Sequence, residues 1–227
     1  MGTLKQKTAM EKPRNPAPIR PDDPGADAAA AREKRALRAA LLARRRALAP
    51  AEAAARSARV LERVRALPAW ASARQVLAYM PVRGEVDVAP LVEELWARGV
   101  RVLLPRCRPG QPGVMDVACA PDLAVLRPGA HGIAEPDPDA CPAEAAPAPD
   151  LVLVPGVGFD RRGLRLGFGG GFYDRFLAGL GRPGPLLLAP CYAFQLLEAL
   201  PADPWDIPVD VIITEEETLW PRPPQRG

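Results

Sequence analysis

The chain has 227 residues and a mass of 24.3 kDa, with 30 Lys+Arg against 27 Asp+Glu, a formal net charge of +3 and a single histidine. Every lysine (Lys5, Lys7, Lys12, Lys34) lies within the first 34 residues, which excludes a Schiff-base lysine and a G-x-x-x-x-G-K-[ST] phosphate loop anywhere beyond that point. With His131 alone, His-rich zinc sites and catalysis by paired imidazoles are excluded too, leaving carboxylates, arginines, backbone amides, Lys34 or a bound metal.

Residues 1–26 combine prolines and mixed charge with little apolar content, so they read as a disordered N-terminal extension. A single domain is expected over 27–217. From residue 27 the composition turns to Ala, Leu and Arg, and Leu37, Leu41 and Leu48 share one helical face, predicting a helix to about residue 48. Pro50 and Glu52 suit the start of a second helix, with Val60, Leu61, Val64 and Leu67 as its apolar stripe and Pro68 as its end. A short apolar run at 75–80, a helical pattern at 88–97 and a second run at 100–104 predict a parallel strand–helix–strand unit. A further strand is expected at 114–117, irregular chain over 127–150, and a strand at 151–154 that is apolar on both faces, as an interior parallel strand is. A helix over 171–180 and strands at 186–189 and 209–213 follow, with a Pro-rich tail from 218 to 227. The sum is an α/β domain, three-layer α/β/α and Rossmann-like, around a mostly parallel sheet.

The four cysteines (Cys107, Cys119, Cys141, Cys191) form no C-x-x-C pair, so incidental thiols in a reducing compartment are expected. No apolar run reaches the roughly 18 residues of a membrane span, and the start of the chain lacks a signal-peptide core. A cytoplasmic protein is expected.

Ten of the 19 glycines fall between Gly156 and Gly184, most densely in Arg165-Leu-Gly-Phe-Gly-Gly-Gly-Phe-Tyr-Asp174. Glycines at a strand-to-helix junction let backbone amides approach a ligand, and those amides with the helix dipole attract an anion. Arg161, Arg162 and Arg165 add positive charge on the approach. A carboxylate one turn into such a helix repels phosphate unless a cation lies between them, so Asp174 points to magnesium with a nucleotide. The plainer reading of Asp174 is favourable charge in a first helical turn. A second carboxylate is offered by Asp206 or Asp210, either of which can equally be a turn residue. Lys34, Arg35 and Arg38, extended by Arg44, Arg45 and Arg46, make the first helix basic. A solvated face or a phosphate-tracking nucleic-acid element are the two readings of that pattern.

Several ordered segments together resemble the 5-formyltetrahydrofolate cyclo-ligase family, also called methenyltetrahydrofolate synthetases. They are Lys34-Arg-Ala-Leu-Arg38, Tyr79-Met-Pro-Val-Arg-Gly-Glu-Val-Asp87, Gly132-Ile-Ala-Glu-Pro136, Pro155-Gly-Val-Gly-Phe-Asp160, Arg165 to Arg175, and Asp206-Ile-Pro-Val-Asp210 running into Ile212-Ile-Thr-Glu215. The resemblance implies a ligase that turns 5-formyltetrahydrofolate into 5,10-methenyltetrahydrofolate with release of ADP and phosphate, needing ATP as co-substrate and Mg2+. By the same correspondence Lys34, Arg35, Arg38, Arg165, Leu166, Gly167, Phe168, Gly169, Gly170, Gly171, Phe172 and Tyr173 hold ATP, with Lys34, Arg165 and Asp174 at the chemistry. Met80, Glu85, His131 and the segment Phe168 to Phe172 border the folate, Glu85 as acceptor for the pterin, and Asp174 with Asp206 holds the metal. The chain departs from the family at Phe168 and Phe172, where tyrosine is frequent, at His131, at Cys191 and at Trp205. Small-molecule substrates, no membrane, no nucleic acid and a monomer are the expected partners and state. The alternatives are a catalytically silent folate- or nucleotide-binding relative and a nucleic-acid-binding protein using the first helix.

Overall fold

A computed structural model describes residues 24–181 and 184–221. Helices α1 (Pro24–Ala47), α2 (Pro50–Arg65) and α3 (Pro68–Ser72) open it. Proline begins α2 and α3, where first-turn amides have no intrahelical acceptor and its missing N–H loses nothing. Pro68, expected to end the second helix, therefore starts a short third one. The first helix likewise begins at Pro24, three residues inside the stretch assigned to the extension.

The chain continues through β1 (Gln75–Leu77), α4 (Ala89–Ala97), β2 (Arg101–Cys107), β3 (Met115–Cys119) and a hairpin of β4 (Leu126–Pro128) and β5 (Ala134–Pro136). Then come β6 (Leu151–Leu153), β7 (Gly158–Asp160), β8 (Arg165–Leu166), α5 (Phe172–Gly179), β9 (Leu186–Pro190), β10 (Leu196–Leu197), β11 (Val211–Ile213) and β12 (Thr218–Leu219). The main sheet has the order β12-β11-β9-β6-β1-β2-β3. Its inner five strands run parallel, while β3 and β12 are antiparallel edges. The expected C-terminal tail thus starts later than residue 218, because Thr218 and Leu219 pair with Ile213 and Ile212.

Both faces of the sheet are covered. Val76, Ala78, Val102, Leu104, Leu151 and Leu153 point to the side of α2 and α4, whereas Leu77, Leu103, Val152 and Val154 point to the side of Leu177 on α5. Alternation by strand pleat sends neighbours to opposite cores, which is why these runs are apolar throughout. Each fully buried leucine contributes on the order of 2 kcal/mol. Leu37 and Leu41 of α1 pack in a third cluster with Val157, Leu166 and Leu200, and Leu48 joins the first core, so the leucine stripe docks α1 beside the glycine-rich segment.

A small second sheet, β10-β7-β8, is absent from the sequence expectations. Its strands have two or three residues, too short for periodicity to register. The Asp160 carboxylate organises it. Buried, it accepts from the amides of Arg162 (2.9 Å), Leu164 (3.1 Å) and Leu200 (2.9 Å), and pairs with the Arg162 guanidinium at 2.6 Å. In the main sheet β2 and β6 flank β1 on opposite sides, a reversal of strand order that in parallel sheets opens a crevice at the carboxyl ends.

Candidate active site

That crevice is a cavity of about 1830 Å³, lined where the chain leaves β1 (Tyr79, Met80) and β6 (Pro155), by Lys34, Arg35 and Arg38 of α1, and by the whole segment Arg165 to Arg175. It exceeds the roughly 300–1,000 Å³ of a single-ligand pocket. Every residue lining it lies between Ala31 and Asp206.

The glycine-rich loop is the first wall. Gly169 and Gly171 have φ of +100° and +65°, a left-handed geometry that a Cβ disfavours, and Gly171 caps α5 so that the first amides of the helix open toward the cavity. Two arginines pin the loop by its carbonyls. Arg38 Nε donates to Gly167 O at 2.8 Å, and Arg175 donates from Nη2 to Gly170 O at 2.6 Å and from Nε to Gly113 O at 2.9 Å. Arg165 Nη2 pairs with Asp174 Oδ2 at 2.8 Å, and its guanidinium carbon lies 5.6 Å from the Tyr173 ring centre. Arg165 Nε and the Tyr173 hydroxyl are buried without a hydrogen-bond partner among the described residues. Buried polar atoms left open in this way mark contacts that a ligand can complete.

The second wall is acidic. Lys34 Nζ lies 2.6 Å from Asp203 Oδ2 and 3.4 Å from Asp206 Oδ2, and Asp206 also accepts from the Asp203 amide at 2.8 Å. Burial pushes the Asp206 carboxyl above the ordinary range, the nearby Asp203 and Asp174 carboxylates push the same way, and Lys34 opposes them. Among the described residues no three His, Cys, Asp or Glu side chains form a metal-ligand set by themselves. Asp210, the other candidate, is committed elsewhere: its Oδ2 accepts from the Leu187 amide at 2.8 Å.

The third wall is the turn after β1. Glu85 is 9% exposed, and burial raises its carboxyl above the usual range against the lowering effects of Arg45, the Val82 amide and Arg83. Met80 is half-buried and lines the cavity beside it. Arg83 takes φ +51°, the one non-glycine residue with positive φ among those described, and its guanidinium stands 5.0 Å from the ring centre of Phe168, which is 40% exposed. This contact bridges the turn and the glycine-rich loop. Phe172 and the exposed Trp205 also line the cavity. His131 belongs to the single-turn helix Ala130–Gly132, whose Ala130 reaches the cavity; its side chain lies outside what is described.

The sequence-derived residues thus converge, with corrections. Arg161 pairs with Glu198 (3.3 Å) and Glu217 (3.2 Å), and Arg162 serves Asp160, so of the three arginines on the approach only Arg165 faces the cavity. Arg44 and Arg46 are exposed but Arg45 between them is buried, so the three are not a continuous exposed stripe. Sequence reasoning passed over Asp203, Arg175, Arg83 and the buried role of Arg45. For Arg45 a signal existed: with Lys34, Arg38 and Leu41 it follows 4-3-4 spacing along one helical face.

A family model described as the 5-formyltetrahydrofolate cyclo-ligase family matches residues 30–215. The chain belongs to the 5-formyltetrahydrofolate cyclo-ligase family. It is an enzyme of the cyclo-ligase class by that membership. It is 33% identical over 180 residues to the 5-formyltetrahydrofolate cyclo-ligase of Escherichia coli (strain K12), covering 78% of this chain and 97% of that one. The Mycolicibacterium smegmatis 5-formyltetrahydrofolate cyclo-ligase is 34% identical over 198 residues, covering 83% and 96%. Among solved structures, the NMR structure of Aquifex aeolicus 5,10-methenyltetrahydrofolate synthetase aligns with a TM-score of 0.72 at 34% identity, over 86% of this chain and 95% of that one. The 5,10-methenyltetrahydrofolate synthetase of Mycoplasma pneumoniae aligns with a TM-score of 0.64 at 28% identity, over 81% and 99%. Among the described residues no helix is long and apolar enough to cross a membrane.

Proposed function

We propose that this cavity performs the ATP- and magnesium-dependent closure of 5-formyltetrahydrofolate to 5,10-methenyltetrahydrofolate, releasing ADP and phosphate. One observation carries the reading: the glycine-rich entrance to α5 and the buried Glu85 open into the same space, so a phosphate chain and a pterin can meet there. The triphosphate lies along the amides of 167–172, with Lys34, Arg35, Arg38 and Arg165 neutralising its oxygens. Glu85 accepts from the pterin N–H groups, Met80 forms an apolar wall, and Phe168 to Phe172 lie between the two ligands.

The donor set suits magnesium. Asp174 and Asp206 are hard oxygen ligands, the Asp174 carboxylate is close enough to raise the proton affinity of Asp206, and the Lys34 ammonium already lies against Asp206, so the spot accepts positive charge. An ion that completes its shell with phosphate oxygens and water would suit so few protein carboxylates. Asp174 and Asp206 would hold magnesium, which would supply neutralisation of the phosphate charge. The formyl oxygen takes the γ-phosphoryl group and ADP leaves; N10 then adds to the activated formyl carbon, gives up its proton, and phosphate departs to leave the methenyl bridge. Neither step needs a side-chain nucleophile. Alignment and charge stabilisation suffice, which a protein with one histidine can provide. All these roles fall on one chain, so a monomer is sufficient, and the free thiols of Cys107, Cys119, Cys141 and Cys191 suit a reducing cytoplasm.

The test mixes protein, Mg-ATP and 5-formyltetrahydrofolate and follows the near-ultraviolet absorbance of the conjugated methenyl product. Growth of that band with stoichiometric ADP supports the reading. No band from folded protein that binds ATP refutes it and identifies a silent relative.

A further inference from the structure

Arg45 takes no part in the nucleotide or metal contacts, yet it is the only arginine counted as buried among the described residues, 3% exposed. Removing a guanidinium from water is costly, so its surroundings should be specific. Nε donates to Gly84 O at 3.2 Å, Nη2 to Val82 O at 3.1 Å and Nη1 to Gly156 O at 3.3 Å. Nη2 also lies 3.7 Å from Glu85 Oε1, while Glu85 Oε2 accepts from the Val82 amide at 3.1 Å. The fork thus fastens the turn 82–85 to the loop after β6, and faces the carboxylate as well as the carbonyls. Arg45 lies on the face of α1 that also carries Lys34 and Arg38, so one helix presents cations to the acidic wall, the glycine-rich loop and the Glu85 turn.

We infer that Arg45 is a positioning residue for Glu85, holding that carboxylate charged and aimed into the cavity as the acceptor for the pterin N–H groups. The inference rests on the assignment of Glu85 to the pterin. Carbonyl bonds alone would make Arg45 a staple of the turn, so the discriminating feature is its charge. Among the described residues the titratable side chains facing Glu85 are Arg45, Arg83, Tyr79 and Tyr173, and the Tyr192 hydroxyl donates to the Glu85 backbone carbonyl at 3.3 Å. Burial pushes the three tyrosines upward, so they stay neutral at neutral pH, and besides the neutral Val82 amide the two arginines are the groups that oppose the burial of the carboxylate. Arg83 is solvent-exposed and screened, which leaves Arg45 as the principal counter-charge. Without it the Glu85 proton affinity rises further, and the charged acceptor is present only at higher pH.

Calorimetric binding of 5-formyltetrahydrofolate between about pH 5 and 8 tests this on the full chain, with Arg45→Met, Arg45→Lys, Glu85→Gln and the double Arg45→Met/Glu85→Gln. Wild type loses affinity as pH falls through the Glu85 pKa. Arg45→Met moves that acid limb up by about one pH unit or more and weakens folate binding roughly tenfold at pH 7, with ADP affinity within about twofold of wild type. Arg45→Lys keeps the charge and therefore the limb. The double variant shows no limb and binds no more weakly than Glu85→Gln. If Arg45→Met weakens binding with the limb unmoved, if Arg45→Lys moves the limb as far as Arg45→Met, or if the double variant is weaker than Glu85→Gln, Arg45 is only a staple and the inference is overturned. Wild-type binding by Glu85→Gln fails the underlying pterin assignment instead, a different outcome. Should Arg45→Met not fold, Arg45→Gln, which still donates to carbonyls but is neutral, is read by the same criteria.

Discussion

Replacing Lys34 by methionine should weaken ATP and strengthen the free protein's grip on magnesium, two effects of opposite sign from one charge. Methionine keeps the length and apolar stem of the side chain, so the packing of α1 is retained. The ammonium is shared by Asp203 at 2.6 Å and Asp206 at 3.4 Å. A charge-assisted hydrogen bond to phosphate contributes about 1.5–3 kcal/mol, and releasing two carboxylates to make it offsets part of this. A net loss near 1.5–2 kcal/mol corresponds to a KM for ATP about ten- to thirtyfold higher. The same substitution leaves Asp203 and Asp206 without their counter-ion, so Mg2+ binding without nucleotide should tighten severalfold. Stability should fall by less than about 1 kcal/mol, because the pair is partly exposed. Steady-state kinetics with varied ATP, and Mg2+ titration calorimetry on the nucleotide-free protein, read both arms. An unchanged KM for ATP refutes the phosphate role of Lys34; weaker Mg2+ binding refutes the view that its ammonium occupies the cation position.

Two further outcomes follow from single side chains. Asp160→Asn keeps the shape of the β7–β8 turn but turns one acceptor into a donor facing amides or the Arg162 guanidinium; a stability loss of about 2–4 kcal/mol is expected in urea unfolding, and a loss below about 1 kcal/mol contradicts the network described. The Cys107 thiol lines the cavity and is pushed up to about 11 by burial and by the Glu135 carboxylate. Since only the thiolate reacts, alkylation at pH 8 should be on the order of a hundredfold slower than that of an ordinary thiol and should accelerate as pH rises past 10; fast reaction at pH 8, with the product mapped to Cys107, would contradict it.

The interior strands were legible because parallel strands covered on both faces must be apolar at every position, as at Leu151 to Val154. The edges were not. Nothing in Met115–Cys119 or Thr218–Leu219 states a direction, and the antiparallel pairing of each depends on where the preceding turn returns the chain. The glycine-rich loop announced itself through composition. The arginines around it did not sort themselves: Arg161 and Arg165 look alike in sequence, but Glu198 and Glu217 come from distant segments to take the first, while Asp174 takes the second.

The lysine distribution marked Lys34 as the single ammonium available to the folded body, and local pattern was enough for the glycine-rich junction, the leucine stripe of α1 and the parallel core. These depend on periodicity and on backbone freedom, properties of neighbours in the chain. Only the tertiary structure decided that Lys34 meets Asp203 and Asp206 rather than solvent, that Asp206 and not Asp210 faces the cavity, and that Arg45 turns inward to Glu85. Burial and pairing of a charge depend on what the rest of the chain brings within a few ångströms, and for Lys34 and Arg45 the carboxylate partners are between 40 and 172 residues away.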